Sequence, residues 1–396
     1  MGICISSASS EIHQADDGLE NVMHVQEDIG SHGAEKLGSL YSKEGSKGVN
    51  QDAAGVHQGY GMEHGAFCGV FDGHGKNGHI VSRTVRNRLP SLLLNQKNAL
   101  EKIKTVRDHN NEKADGGLAP LPSESFHKWK EACICAFKVM DKEIKLQEGL
   151  DCSCSGTTAV VVVRQGEDLI IANLGDSRAV MGRTNDQKGI LPVQLTTDLK
   201  PGVPSEARRI RQCNGRVLAL KEEPHVHRVW LPHEDSPGLA MSRAFGDFLL
   251  KNHGIIALPD ISYHRVTPKD QFVVLASDGV WDVLSNKEVV SIVSAADSEQ
   301  AAAKAVVEAA TAAWKRKFTS SKVDDCTVLS TASFLFGAAY VHNVVILSAI
   351  LRFLMRHIQV PNDRVPFSVQ ICASHQHWTV HADIEVLALF EKYLVR

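Results

Sequence analysis

The sequence lacks a charge excess of either sign. Its 43 Lys and Arg stand against 46 Asp and Glu, a formal net charge of −3 over 396 residues. That gives no support to nucleic-acid binding, which usually shows a strongly basic face. Zinc-ligand spacing is missing too. The nine cysteines are scattered, and Cys133/Cys135 and Cys152/Cys154 have one-residue gaps instead of CxxC or HxxxH arrangements. Thiols in this pattern read as reduced cysteines of a cytoplasmic protein. The start has no basic segment followed by a long apolar one, so no cleavable secretory signal is expected. No segment repeats. What remains, 43% hydrophobic and 22% charged residues, suits one large globular domain or two medium ones.

The first residues, Met1-Gly2-Ile3-Cys4-Ile5-Ser6, fit the pattern for N-myristoylation at Gly2, and Cys4 offers a site for palmitate. Two acyl chains would hold the protein on a membrane where one would not, although so short a pattern also arises by chance. Residues 1–36 are polar and aperiodic and read as a mobile arm. Order is expected from Leu37. Ala66–Phe71 is an apolar run ended by Asp-Gly, read as a buried strand and a turn. A helix is expected from His79 to Leu94, then an exposed loop from Gln96 to Ser123, which is charged and carries Gly116-Gly117, Pro120 and Pro122. Phe126, Trp129, Cys133, Phe137, Met140 and Ile144 recur at helical steps, a core-packing stripe. Thr157–Arg164, Asp168–Asn173 and Arg178–Gly182 read as three strands of an antiparallel meander. A short helix near Pro204–Cys213 and a strand at Gln271–Ser277 follow. Ser285 and Glu288 form a capping box that opens a helix. An alanine-rich helix from Ser298 to Lys317 and a strand at Val323–Leu329 complete an α+β layered domain.

The acids occupy telling positions. Val70-Phe71 runs into Asp72, Phe272–Ser277 runs into Asp278, and Asp324-Asp325 precedes Thr327-Val328-Leu329. An antiparallel sheet would bring two strand ends and one strand start to a single edge. Carboxylates at the mouths of apolar strands are costly unless their charge is matched, and no Lys or Arg adjoins Asp72 or Asp278 in sequence. A divalent cation matches several converging acids at once, and an all-oxygen donor set favours Mg²⁺ or Mn²⁺ over zinc or copper. Two such ions about 4 Å apart activate water toward phosphate esters. Asp-Gly alone is above all a turn signal. The residues by themselves indicate a metal hydrolase.

Five longer segments carry more. Phe71-Asp72-Gly73-His74-Gly75, Ser155–Ala159, Gly175-Asp176-Ser177-Arg178, Leu239–Asp247 and Ala276–Asp282 resemble, in order, the metal-dependent type-2C protein serine/threonine phosphatases, plant-like branch. Asn50–Ala53 and Asp324–Thr327 fit the same series, and the match covers residues 37–329. The resemblance implies a four-layer α-β-β-α sandwich of two antiparallel sheets flanked by helices. It implies hydrolysis of phosphoserine and phosphothreonine in proteins by water bridging two ions, without a covalent intermediate. Asp72 would bridge both ions, Gly73 would offer its carbonyl, and Asp278 and Asp324 would be direct ligands. Asp176 and Asp282 match positions that support a further, weaker metal. His74 falls where the family has its general acid, and Lys47 where many members have a phosphate-binding arginine. A lysine there acts as a point charge without a bidentate fork.

Two positions depart from the family. Many members have Glu-Asp where this chain has Gln51-Asp52, so Asp52 is expected to carry that part of the metal site. Asp325 replaces a customary asparagine, which leaves it beside Asp324 as a competing ligand. The segment from Ser242 to Asp247 is expected to support the site, and His225, His227 and His233 to lie at the surface. The neutral Gln51 keeps open an alternative, a pseudophosphatase-like regulator that binds phosphoproteins with weak turnover. The partners expected are phosphoprotein substrates acting on a monomer in the cytoplasm, at a membrane or in the nucleus.

The resemblance stops at Leu329, and residues 331–396 form an atypical hydrophobic tail. Phe334–Leu351 has no charged residue, which makes it a marginal membrane-spanning candidate, with His342 and Asn343 costly in mid-span. It also reads as a helix packed over the domain, or as sequence from an alternative transcript that forms no stable structure, the reading its loss of local consistency favours. Thr331–Phe336 is available to finish the last strand.

Overall fold

The computed structural model describes residues 38–109, 122–187, 189–317 and 323–331, with the backbone of three short strands at Val25–Gln26, Gln370–Ser374 and His377–His381. Contacts divide the chain into a unit of Met1–Val341 and a unit of His342–Arg396. In the second, Gln370–Ser374 and His377–His381 form an antiparallel hairpin. Gly2, Cys4 and Phe334–Leu351 lie outside the described residues. No helix among the described residues is long and apolar enough to cross a membrane.

The first unit is built on two antiparallel sheets. One orders Asp52–Gln58, Ala66–His74, Ala159–Gln165, Asp168–Leu174 and Asp260–Arg265; Val25–Gln26 adds a parallel pair at Val56–His57. The other orders Ser39–Lys43, Cys326–Thr331, Asp270–Ala276, Arg178–Thr184 and Ile190–Gln194. Successive side chains leave a strand on opposite faces. Val70 therefore joins Val160, Val162, Val273 and Leu275 in the layer between the sheets, and Phe71 packs outward with Leu89, Trp129 and Phe137 under helices Gly78–His109 and Pro122–Leu146. On the far side, Val274 packs with Val306, Val307 and Trp314 under helices Asn286–Ala295 and Glu299–Lys317. The result is the four-layer α-β-β-α sandwich. Central strands are buried on both faces, so they read as unbroken apolar runs.

Two local expectations are corrected. The loop expected from Gln96 is helix as far as His109. Its charges support the helix: Lys97 pairs with Glu101 one turn on at 3.0 Å, Gln96 is buried and Leu100 packs on the core. The meander also ends early. Asp168–Leu174 pairs with Ala159–Gln165, but Arg178–Thr184 pairs with Asp270–Ala276 in the other sheet. The short link Gly175–Ser177 thus carries the chain between layers, and it places Asp176 at their open end. The Ser285–Glu288 capping box forms as expected.

Candidate active site

The strand Ala66–His74 runs unbroken through Asp72, Gly73 and His74, where a turn was expected. Gly73 serves close approach instead: a Cβ there would lie 2.4 Å from the Gly78 carbonyl oxygen and 2.5 Å from that of Gln51. Asp52 opens the neighbouring strand in register with Asp72. From the other sheet, Asp278 follows Asp270–Ala276 and starts the short helix Asp278–Trp281. A Cβ on Gly279 would stand 1.9 Å from the Asp325 carbonyl oxygen, so glycine admits the segment that carries Asp324. Asp278 and Asp324 do share one sheet edge, since their strands are neighbours. Asp52 and Asp72 face them from the second sheet. The acids converge across the mouth of the sandwich, not along a single edge.

Their electrostatics confirm the crowding. Asp72 is held well above the usual carboxylate range, by burial first and then by Asp278, Asp52, Asp324 and Asp176. Asp278 is raised likewise, by burial and then by Asp176, Asp324 and Asp282. Asp52 is buried; its Oδ2 accepts from Ser277 Oγ at 2.7 Å and its Oδ1 has no partner. Burial, then Asp325 and Asp324, push its carboxyl up to about 7 against the opposing Ser277 bond.

Cations do reach the acids, from segments remote in sequence. Lys47 Nζ donates to Asp324 Oδ2 and also feels Asp278 and Asp72. Its loop is docked on the 323–325 segment by Ser46 N to the Val323 carbonyl at 2.9 Å. Lys200 Nζ stands 3.6 Å from Asp176 Oδ2 and 3.4 Å from Asp282 Oδ1. Lys200 lies in neither acid's motif, so no local pattern announces it.

His74 and Asp325 acquire specific partners. His74 Nε2 lies 2.6 Å from Asp247 Oδ2. Burial would lower the imidazole pKa, but Asp247 outweighs it and the pKa is raised. Asp247 is thus tied directly to His74 at the end of the Leu239–Asp247 motif. Asp325 spends both oxygens on backbone, accepting from Gly45 N at 2.7 Å and Gln51 N at 2.8 Å. Gln51 turns its amide to the Gly75 carbonyl at 2.8 Å. His225, His227 and His233 are exposed.

Among the described residues, no three His, Cys, Asp or Glu side chains close tightly enough on one point to grip an ion as they stand. The donor chemistry nevertheless fits a hard divalent cation. Only oxygens converge, the buried Asp52 Oδ1 and Asp176 Oδ1 lack partners, and the acids repel one another in a way only added positive charge relieves. A group of converging acids with a half-buried imidazole alongside can hold such ions and pass a proton to an ester oxygen. Fold and site together define a layered α+β metallohydrolase.

Comparison with known proteins narrows this. The family model of protein phosphatase 2C matches residues 50–318. A probable protein phosphatase 2C 72 from Arabidopsis thaliana is 53% identical over 336 residues, covering 83% of this chain and 97% of that one. A probable protein phosphatase 2C 12 from Oryza sativa subsp. japonica is 50% identical, covering 83% of this chain and 90% of its own. The crystal structure of serine-threonine phosphatase 2C from Toxoplasma gondii superposes with a TM-score of 0.64 at 27% identity, covering 74% and 92% of the two chains. The chain belongs to the protein phosphatase 2C family, plant-like in its relatives, and is a metal-dependent protein serine/threonine phosphatase.

Proposed function

We propose that Asp52, Asp72, the Gly73 carbonyl, Asp278 and Asp324 hold two Mg²⁺ or Mn²⁺ ions, and that the chain removes phosphate from phosphoserine and phosphothreonine in proteins. Bound there, the ions would match the carboxylate charge and acidify water that attacks the phosphate ester. The observation that carries the reading is the convergence of four acids from two facing sheets, with Asp278, Asp52 and Asp324 all raising the proton affinity of Asp72.

The chain's own groups do the rest. The Ser277 hydroxyl fixes the buried Asp52 carboxyl in place. Lys47 is half-exposed at the rim and can turn its ammonium from Asp324 to a phosphate oxygen. His74, held by Asp247, gives its proton to the leaving serine or threonine oxygen. Asp325 contributes by clasping the Gly45 and Gln51 amides.

The test is release of phosphate from a phosphothreonine peptide by the full chain with Mn²⁺, and by its Asp278→Asn variant. Turnover is expected to need Mn²⁺ and to fall at least about a thousandfold in the variant. Equal rates with and without the substitution would sink the catalytic assignment. Phosphopeptide binding without turnover would favour the regulator.

A further inference from the structure

Resemblance assigns Asp176 and Asp282 to a further weak metal, yet the chain places a cation of its own there. Lys200 Nζ lies within ion-pair distance of both carboxylates, at 3.6 and 3.4 Å, and also feels Asp278 and Asp198. We propose that the Lys200 ammonium is the resident cation of the Asp176–Asp282 pair, so that no third divalent ion binds there. The inference rests on the two-ion reading above.

The placement is built into the backbone. Leu199 N donates to the Gly175 carbonyl at 2.9 Å, beside Asp176. The Leu199 carbonyl accepts from Ser242 N at 2.8 Å and Ser242 Oγ at 2.6 Å. Lys200 is therefore launched from a residue fixed on both sides. Arg178 then clamps the segments carrying the two partners. It grips Asp198 with Nε at 2.9 Å and Nη2 at 2.6 Å, and its guanidinium lies 4.9 Å from the ring centroid of Trp281, next to Asp282. Nη1 donates to Asn286 at 2.6 Å. The segments that carry Lys200 and Asp282 are thus tied to each other through Arg178.

Charge then disfavours a metal. Two carboxylates less one ammonium leave a single negative charge, and divalent affinity follows ligand charge. An ion touching both acids would also sit against the ammonium. Removing the ammonium should reverse this, with the unpartnered Asp176 Oδ1 available as a ligand.

The test counts Mn²⁺ bound by the full chain, by calorimetric titration with Mn²⁺ alone. Wild type and Asp282→Asn should bind the same number of ions, because Asp282 holds none. Lys200→Met should bind one more, at least about tenfold more tightly than any residual binding in wild type. Lys200→Arg should keep the wild-type count, and Lys200→Met/Asp282→Asn should return to it. A wild-type ion that Asp282→Asn removes would overturn the proposal, as would a folded Lys200→Met that gains none. If Lys200→Met does not fold, the wild-type and Asp282→Asn counts decide. A wild-type count of zero would sink the two-ion reading alone, since the gain in Lys200→Met is judged separately.

Discussion

Replacing Asp52 by asparagine should stabilise the protein in chelator, and only toward alkaline pH. Asp52 is 8% exposed, with one carboxyl oxygen bonded to Ser277 and the other unpartnered. Its carboxyl titrates at about 7 against an ordinary 3.8, a displacement worth at most about 4 kcal/mol. The unfolded chain releases this proton near pH 4 and the folded chain near 7. Stability therefore falls as pH rises across that window and stays lower above it. Asparagine removes the charge but buries an amide N–H₂ where the orphan oxygen stood, at a cost of about 1–3 kcal/mol. The net gain at pH 8 is roughly 2 kcal/mol. At pH 5 it shrinks to nothing, because the wild-type carboxyl is already protonated when folded. Urea denaturation in chelator at the two pH values measures both differences. A variant no more stable at pH 8, or a gap identical at pH 5, would refute the reasoning. With saturating Mn²⁺ the sign should reverse, as a ligand is lost.

Asp247→Asn should lower kcat by roughly a hundredfold and move the alkaline limb of the kcat–pH profile to lower pH, since the carboxylate holds the His74 pKa up; an unmoved limb would separate Asp247 from the proton donor. Gly279→Ala should destabilise by about 3 kcal/mol, because the new methyl would lie 1.9 Å from the Asp325 carbonyl oxygen; thermal melting with and without Mn²⁺ tests it. Gln51→Glu should cost about 1–2 kcal/mol in chelator, by setting a carboxylate against the Gly75 carbonyl its amide now serves. Asp325→Asn should relieve part of that cost, with a coupling of at least about 0.5 kcal/mol in a double-mutant cycle.

The sandwich was legible because its signals are local. Unbroken apolar runs such as Phe272–Ala276, helical stripes such as Trp129–Phe137–Met140 and the Ser285–Glu288 box each declare an element by short-range spacing. The sheet to which a strand belongs is a long-range choice. Asp168–Leu174 and Arg178–Thr184 are separated by three residues and sit in different layers, which no periodicity announces. The same holds for charge. Asp72 and Asp278 have no basic neighbour in sequence, yet Lys47 and Lys200 reach the cluster from distant loops. Asp-Gly misled at Gly73 for another reason. The residue that permits a turn also permits two backbones to touch, and only the neighbouring chain says which use applies.

The two positions expected to depart from the family, Gln51 and Asp325, meet in the structure. Gln51 gives up a negative charge beside the metal ligands, and Asp325 adds one. The two are in contact, with Gln51 N donating to Asp325 Oδ2 at 2.8 Å. The acid count of the site is therefore kept while the charge moves from one strand start to another. Asp325 spends its oxygens on the Gly45 and Gln51 amides, so the moved charge ties the Lys47 loop to the strand that begins with Asp52. Its repulsion still reaches Asp52. A glutamate at 51 would set a carboxylate against the Gly75 carbonyl that the amide now serves.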